Sequence, residues 1–270
     1  MDTQKPFAVT YGTGAVKGVI VQDDIVVAGL SLPNHTFGVA NQETVDFSSD
    51  STKFDGIMGL AQSTLSEQKT LTPSESLAKA GLIQQAIVSF KISRLADQKN
   101  DGEVTFGGLD TSKFDQNTLV ESNNVNKLGF WEVPIDAASV DGTDLGFEGR
   151  TAIMDTGTTL MALPQSDVEA IHKNIPGAKD IGNGTFSIPC TTNSSVALTI
   201  GKQSFPIDPR DIAFLPVNAN DPTGDCLSGI SASQVNEQDP NQWLVGDVFL
   251  KNVYFSTNVG KNTIQLAKLT

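Results

Sequence analysis

The stretch Ala152-Ile153-Met154-Asp155-Thr156-Gly157-Thr158-Thr159-Leu160 sets one acidic residue, followed by hydroxyls and a glycine, between two apolar runs. A β-prone segment leads in and Leu160-Met161-Ala162-Leu163-Pro164 follows, so the polar turn is expected inside a core. A charge in such a place is costly unless hydrogen bonds hold it. The Thr156 and Thr158 hydroxyls and nearby backbone N–H groups can supply those bonds. Gly157, lacking a Cβ, is expected to let a second backbone approach. Asp155 is therefore the first candidate for chemistry, because perturbed carboxylates gather at functional sites. The Asp-Thr-Gly tripeptide occurs once in the 270 residues.

Outward from this turn the chain reads as all-β. Short runs rich in Val and Ile are punctuated by Gly, Asn, Asp and Pro, and Val16 to Val27 is expected to hold strands with a turn at Asp23-Asp24. Helices are expected to be few and short, at Pro73 to Gly81 and at Pro164 to Asn174. The polar stretch Lys113 to Asn126 is the expected crossing between two lobes, placed at 1–118 and 119–270. One coarse repeat stands out: apolar-apolar-Gly occurs at Ile57-Met58-Gly59 and again at Leu244-Val245-Gly246.

Composition narrows the partners. With 31 acidic against 18 basic residues the net charge is -13, so no basic patch of useful size can form for a nucleic acid or an anionic membrane. Few Lys and Arg also keep self-repulsion modest once acidic side chains protonate, which suits a hydrolase working in acid. No apolar stretch is long enough to span a membrane, and Met1 to Pro6 has no apolar signal core. An export signal and propeptide are accordingly expected outside this sequence. The sequons Asn34-His35-Thr36, Asn183-Gly184-Thr185 and Asn193-Ser194-Ser195 fit a secretory route, as does the even count of two cysteines, Cys190 and Cys226, read as a disulfide.

Several motifs fail on their context. Gly12-Thr13-Gly14 followed by Gly18 hints at a dinucleotide loop, but Val19-Ile20-Val21 are strand formers where a helix must start. Asp97 to Gly102 begins like a calcium loop, yet Lys99 stands at a ligand position and Gly108 where the bidentate Glu belongs, so a hairpin turn is expected. His35 and His172 are the only imidazoles and lack zinc spacing, so no metal site is expected. Ser66-Glu67-Gln68-Lys69 matches a serine–lysine spacing without its companion motifs.

The order of landmarks resembles the pepsin-like aspartic endopeptidases, especially the secreted fungal ones, along nearly the whole chain. Val9-Thr10-Tyr11-Gly12-Thr13-Gly14 resembles the flap hairpin, Phe54 to Leu60 the first lobe's apolar-apolar-Gly segment, and Gly107-Gly108-Leu109-Asp110 the exit from that lobe. Trp131, Asp155-Thr156-Gly157-Thr158, Cys190 with Cys226, and Trp243 to Asp247 continue the series. Such enzymes carry a first Asp-Thr-Gly upstream of the flap, with a Trp partner for the flap Tyr, and this sequence has neither. Asp2-Thr3-Gln4 does not replace it, since Gln4 has a Cβ where glycine is needed, and a frayed N-terminal strand is expected there.

The resemblance implies a bilobal all-β fold with an incomplete N-terminal lobe. It implies Asp155 as a catalytic aspartate, Tyr11, Gly12, Thr13, Gly157 and Thr158 as substrate-binding, a Cys190–Cys226 disulfide, and no cofactor. Phe54, Ile57, Phe130 and Ile153 fall at positions resembling apolar subsites, and Asp55 and Asp247 at structural turns. Two facing aspartates sharing a proton would activate a water against a peptide bond, the substrate being a peptide or protein. Residues 1–270 offer one of the two. The second is then expected from a missing N-terminal segment or a second chain. The alternative is a catalytically silent scaffold binding peptide or carbohydrate. Ile57-Met58-Gly59, with no loop to thread under, should leave exposed apolar residues and unpaired strand edges in the first lobe. Extracellular or vacuolar localisation follows from the same resemblance.

Overall fold

Asp2–Thr10, Ala15–Val27 and Leu30–Glu43 form a three-stranded antiparallel meander at the start of the chain. The computed structural model describes residues 2–12 and 14–270. The first reversal closes with the Tyr11 N–H donating to the Gly14 carbonyl at 2.7 Å. The turn expected at Asp23-Asp24 is absent. Instead the strand runs on through Ile25-Val26-Val27, and the acidic pair is absorbed as a shift of register between Asp23 and Ile25. Asp24 Oδ1 accepts the Asn34 N–H at 2.9 Å across this bulge, which satisfies a donor the irregular ladder would strand. The reversal falls at Ala28-Gly29, both at positive φ.

The two expected helices form, at Pro73–Lys79 and Gln165–Lys173. The first starts with a capping box. Thr72 Oγ1 accepts the Glu75 N–H at 3.3 Å, Glu75 Oε2 accepts the Thr72 N–H at 2.8 Å, and Pro73 supplies a preset φ. The Asp97 to Gly102 segment lies in the connection between the antiparallel strands Ile87–Lys91 and Glu103–Phe106, with Gln98 in the left-handed region. That connection is longer than a tight turn and carries the short 3-10 turn Leu95–Asp97.

A five-stranded sheet ties early and late parts of the chain together. Its order is Glu103–Phe106, Ile87–Lys91, Val253–Asn258, Thr263–Lys268 and Val120–Asn123. The stretch Lys113 to Asn126 therefore does more than cross between regions: Val120–Asn123 pairs with Thr263–Lys268 as an edge strand. Beyond residue 130, a second five-stranded sheet runs Ile230–Ala232, Met161–Leu163, Gln242–Val245, Arg150–Met154, Glu132–Ile135. Two four-stranded sheets complete this part. Cys190 and Cys226 are disulfide-bonded with their Cα atoms 4.9 Å apart, beside the paired strands Thr185–Pro189 and Asp225–Ser228.

Burial is unequal along the chain. Nearly all of the main core comes from residues after 130, among them Trp131, Val133, Ala152, Met161, Leu198, Trp243, Val245 and Phe249. Before residue 87 the buried apolar side chains among the described residues are Ile20, Val27, Leu32 and Leu77. At about 25 cal/mol per Å² of apolar surface removed from water, the C-terminal sheets carry most of the hydrophobic stabilisation.

Candidate active site

The Asp155 turn hangs between two arms of one sheet. Arg150–Met154 enters parallel to Gln242–Val245, and Met161–Leu163 leaves antiparallel to that same strand. Gln242–Val245 thus lies between both arms, and the Asp155 N–H donates to the Val245 carbonyl at 3.0 Å. At the entry end, buried Asp167 fixes three elements at once. Arg150 Nε and Nη2 both reach its carboxylate at 2.8 Å, and Trp243 Nε1 does so at 2.9 Å. Burial pushes the Asp167 carboxyl up, but the Arg150 fork and Trp243 outweigh it and hold it below the usual range.

At the exit end a backbone crossing locks the turn. A Cβ at Gly246 would stand 2.1 Å from the Thr158 carbonyl oxygen and 2.6 Å from that of Leu160. No other residue type fits. The Gly246 and Asp247 N–H groups donate across this crossing, to Leu160 O at 3.1 Å and Thr158 O at 2.8 Å. Leu244-Val245-Gly246 thus threads behind the Asp155 turn. The close backbone approach expected at Gly157 is absent. A Cβ there would meet only Asp155 itself, at 3.2 Å from Oδ1. Gly157 keeps the turn tight enough for its own N–H to reach the carboxylate.

Each carboxylate oxygen of Asp155 has one partner from the turn. Oδ1 accepts the Gly157 N–H at 2.9 Å, and Oδ2 accepts the Thr158 hydroxyl at 2.6 Å. Those two bonds fix the plane of the carboxylate. Thr156 and Gly157 are exposed while Asp155 and Thr158 are half-buried, so the turn emerges from the core that its flanking strands enter. A carboxylate so held can orient a water or pass a proton. One residue past the crossing, Asp247 opens the short helix Asp247–Leu250, and its Oδ1 is buried with no hydrogen-bond partner among the described residues. Burial pushes its carboxyl up to about 6, with Lys251 opposing and the charge of Asp155 assisting.

The Tyr11 hairpin lies elsewhere. Tyr11 packs edge-on against Phe47 at 5.3 Å between centroids, and Phe47 meets Phe54 at 6.3 Å. Burial of the Tyr11 phenol pushes its pKa up. Tyr11 also lines an apolar groove of about 470 Å³ with Val26, Phe37, Ile57, Met58 and Leu71, and no residue of the Asp155 turn is in its walls. Gly12 is exposed at the hairpin tip, and Thr13 lies outside the described residues. Of the residues resembling apolar subsites, Phe54, Ile57 and Phe130 are exposed, and Ile153 is buried in its strand.

This geometry has relatives. A profile of the eukaryotic aspartyl proteases matches residues 1–269. The chain belongs to the eukaryotic aspartyl protease family. It is 38% identical over 265 residues to a probable aspartic-type endopeptidase CTSD of Arthroderma benhamiae, covering 98% of this chain and 50% of that protein. It is also 38% identical over 249 residues to the aspartic-type endopeptidase ctsD of Aspergillus fumigatus, covering 92% and 50%. Cathepsin D of Dictyostelium discoideum is 32% identical over 266 residues, covering 97% and 67%. This aspartyl protease chain thus spans about half the length of the first two curated relatives.

Asp247, which the sequence places at a turn, lies one residue past the Gly246 crossing. It opens a helical turn, and it also carries a buried carboxylate oxygen with no hydrogen-bond partner among the described residues.

Proposed function

We propose that residues 1–270 form the larger part of an acid endopeptidase, in which a water is activated between Asp155 and a second carboxylate from outside this sequence. The observation that carries the reading is the Asp155 turn itself, with a partner on each oxygen and Gly246 crossing behind it. Such a construction is costly to keep and suits a carboxylate that must be presented in one orientation. Two carboxylates sharing a proton would split the work, one taking a proton from water and the other protonating the scissile carbonyl. Tyr11, Gly12 and Thr13 would close over an extended peptide, and Gly157 and Thr158 would line its path. The lobes divide at 118/119. Relatives named as vacuolar protease A and cathepsin D support a secreted or vacuolar location reached through the secretory route.

Digestion of casein or haemoglobin across acidic pH tests this. Purified 1–270 should show no pepstatin-sensitive activity, because losing one member of a catalytic pair removes most of its rate. Supplying an upstream segment with its own Asp-Thr-Gly should restore cleavage, and Asp155→Asn should abolish it again. Activity of 1–270 alone that Asp155→Asn removes would instead favour assembly of two copies. A folded, restored protein that neither cleaves substrate nor binds a statine-type inhibitor would overturn the reading.

A further inference from the structure

We propose that Asn183 is an N-glycosylation acceptor of this chain, distinguished from the other two sequons by its free turn position and its unengaged threonine. The inference rests on the secretory route argued above. Acceptor sequons belong on surface loops, where the asparagine amide and the hydroxyl two residues on can be gripped together. Asn183-Gly184 is the tip of the hairpin between Lys179–Gly182 and Thr185–Pro189, with φ of 52° and 72°. Asn183 is exposed, and neither its side chain nor the Thr185 hydroxyl has a hydrogen-bond partner among the described residues. The tip is nonetheless fixed. The Ala232 N–H donates to the Gly184 carbonyl at 2.8 Å, and a Cβ at Gly184 would meet the Ala232 Cβ at 2.8 Å. Rigid below and open above, the turn can carry a bulky group without repacking.

The other sequons are engaged in the fold. Asn34 sits within the strand Leu30–Glu43, its middle residue His35 is buried, and Thr36 Oγ1 accepts from Gln22 Nε2 at 3.2 Å. At Asn193, Ser194 is buried and Ser195 is held from three sides. Its N–H donates to Asp141 Oδ1 at 2.8 Å, its hydroxyl to Ile207 O at 3.2 Å, and its carbonyl accepts the Asp141 N–H at 2.9 Å. A glycan at Asn183 would also have work to do. Lys179–Gly182 is the exposed edge strand of its sheet and displays Ile181 at 49% exposure, so a sugar chain rooted beside it would block edge-to-edge pairing. In the transfer step the Asn183 amide nitrogen attacks the anomeric carbon of a polyprenyl-pyrophosphate-linked oligosaccharide. The N–C bond forms as the carbon–oxygen bond to phosphate breaks, the amide loses one proton, and polyprenyl pyrophosphate leaves.

The test sends 1–270 behind a cleavable export leader through a yeast secretory pathway and measures occupancy at each sequon by mass spectrometry. Retained and secreted fractions give the same readout. Formation of the Cys190–Cys226 disulfide certifies passage and folding. Asn183 should be occupied in most molecules, several-fold above Asn34 and Asn193. Asn183→Asp, which tolerates the same backbone region, and Thr185→Ala should each remove one glycan step on a gel, and Thr185→Ser should keep it. Disulfide-bonded protein that is bare at Asn183, or more occupied at Asn34 or Asn193, would overturn the proposal. Because the leader imposes the route, that result would leave the natural destination to be judged separately, by locating the native protein in its own cells.

Discussion

Leu244-Val245-Gly246 and Ile57-Met58-Gly59 share one sequence pattern and meet opposite fates. In the first, Val245 is wholly buried and Gly246 lies against two carbonyl oxygens. In the second, Ile57 and Met58 are 54% and 49% exposed, and a Cβ on Gly59 would touch nothing within 4 Å. The difference is the loop to be crossed: one is present at Asp155, and among the described residues nothing takes its place at Gly59. The apolar pattern encodes a capacity for burial, and a facing backbone decides whether it is used.

Gly246→Ala should therefore have the largest effect. Backbone atoms cannot yield the space a Cβ needs, so a loss of about 5 kcal/mol or more is expected, read as a collapsed urea midpoint. Next comes Asp167→Ala, which leaves Arg150 without its partner and should cost about 3–5 kcal/mol in the same measurement. Thr158→Val removes the hydroxyl on Asp155 Oδ2, a bond to a carboxylate, and should cost about 1–2 kcal/mol.

Asp247→Asn sharpens the comparison through pH. Its folded carboxyl is raised to about 6 from the ordinary 3.8, so the fold favours the protonated form. Its stability contribution is full below the unfolded pKa and is lost as pH rises through about 6. The shift corresponds to about 3 kcal/mol, reduced to about 1 kcal/mol by solvent screening of a partly buried group. Wild type should therefore lose stability between about pH 4 and 6 relative to the Asn variant, in thermal melts taken across that window. Smallest of all, Gly59→Ala should change the unfolding free energy by less than about 1 kcal/mol, read from urea melts. A large loss at Gly59 would show that a backbone does cross there.

Much of this was legible in the sequence. The β-rich reading, the capped helix at Pro73 and the Asp155 turn were all local, set by alternation, a Thr-Pro start and residues within hydrogen-bond reach of one another. What escaped depended on distant neighbours. Asp23-Asp24 looks like a turn until Asn34 supplies the partner that makes it a bulge. Gly157 and Gly246 are alike on paper, and only the crossing strand shows which one makes room for a backbone. Asp247 owes its raised carboxyl to burial and to the charge of Asp155, far away in the sequence, which no local window contains.

The sheet that joins Ile87–Lys91 to Val253–Asn258 sets a timetable for synthesis. The Thr257 hydroxyl reaches the Val88 carbonyl across 169 positions of sequence, so the earlier strand waits on the ribosome until the later one is made. Such distant closure is slow, since a long loop must be ordered before any contact rewards it. Throughout that interval Val88 and Phe90, which end up buried, have no lasting cover. Pairing of Val253–Asn258 with Ile87–Lys91 is then the event that closes this sheet.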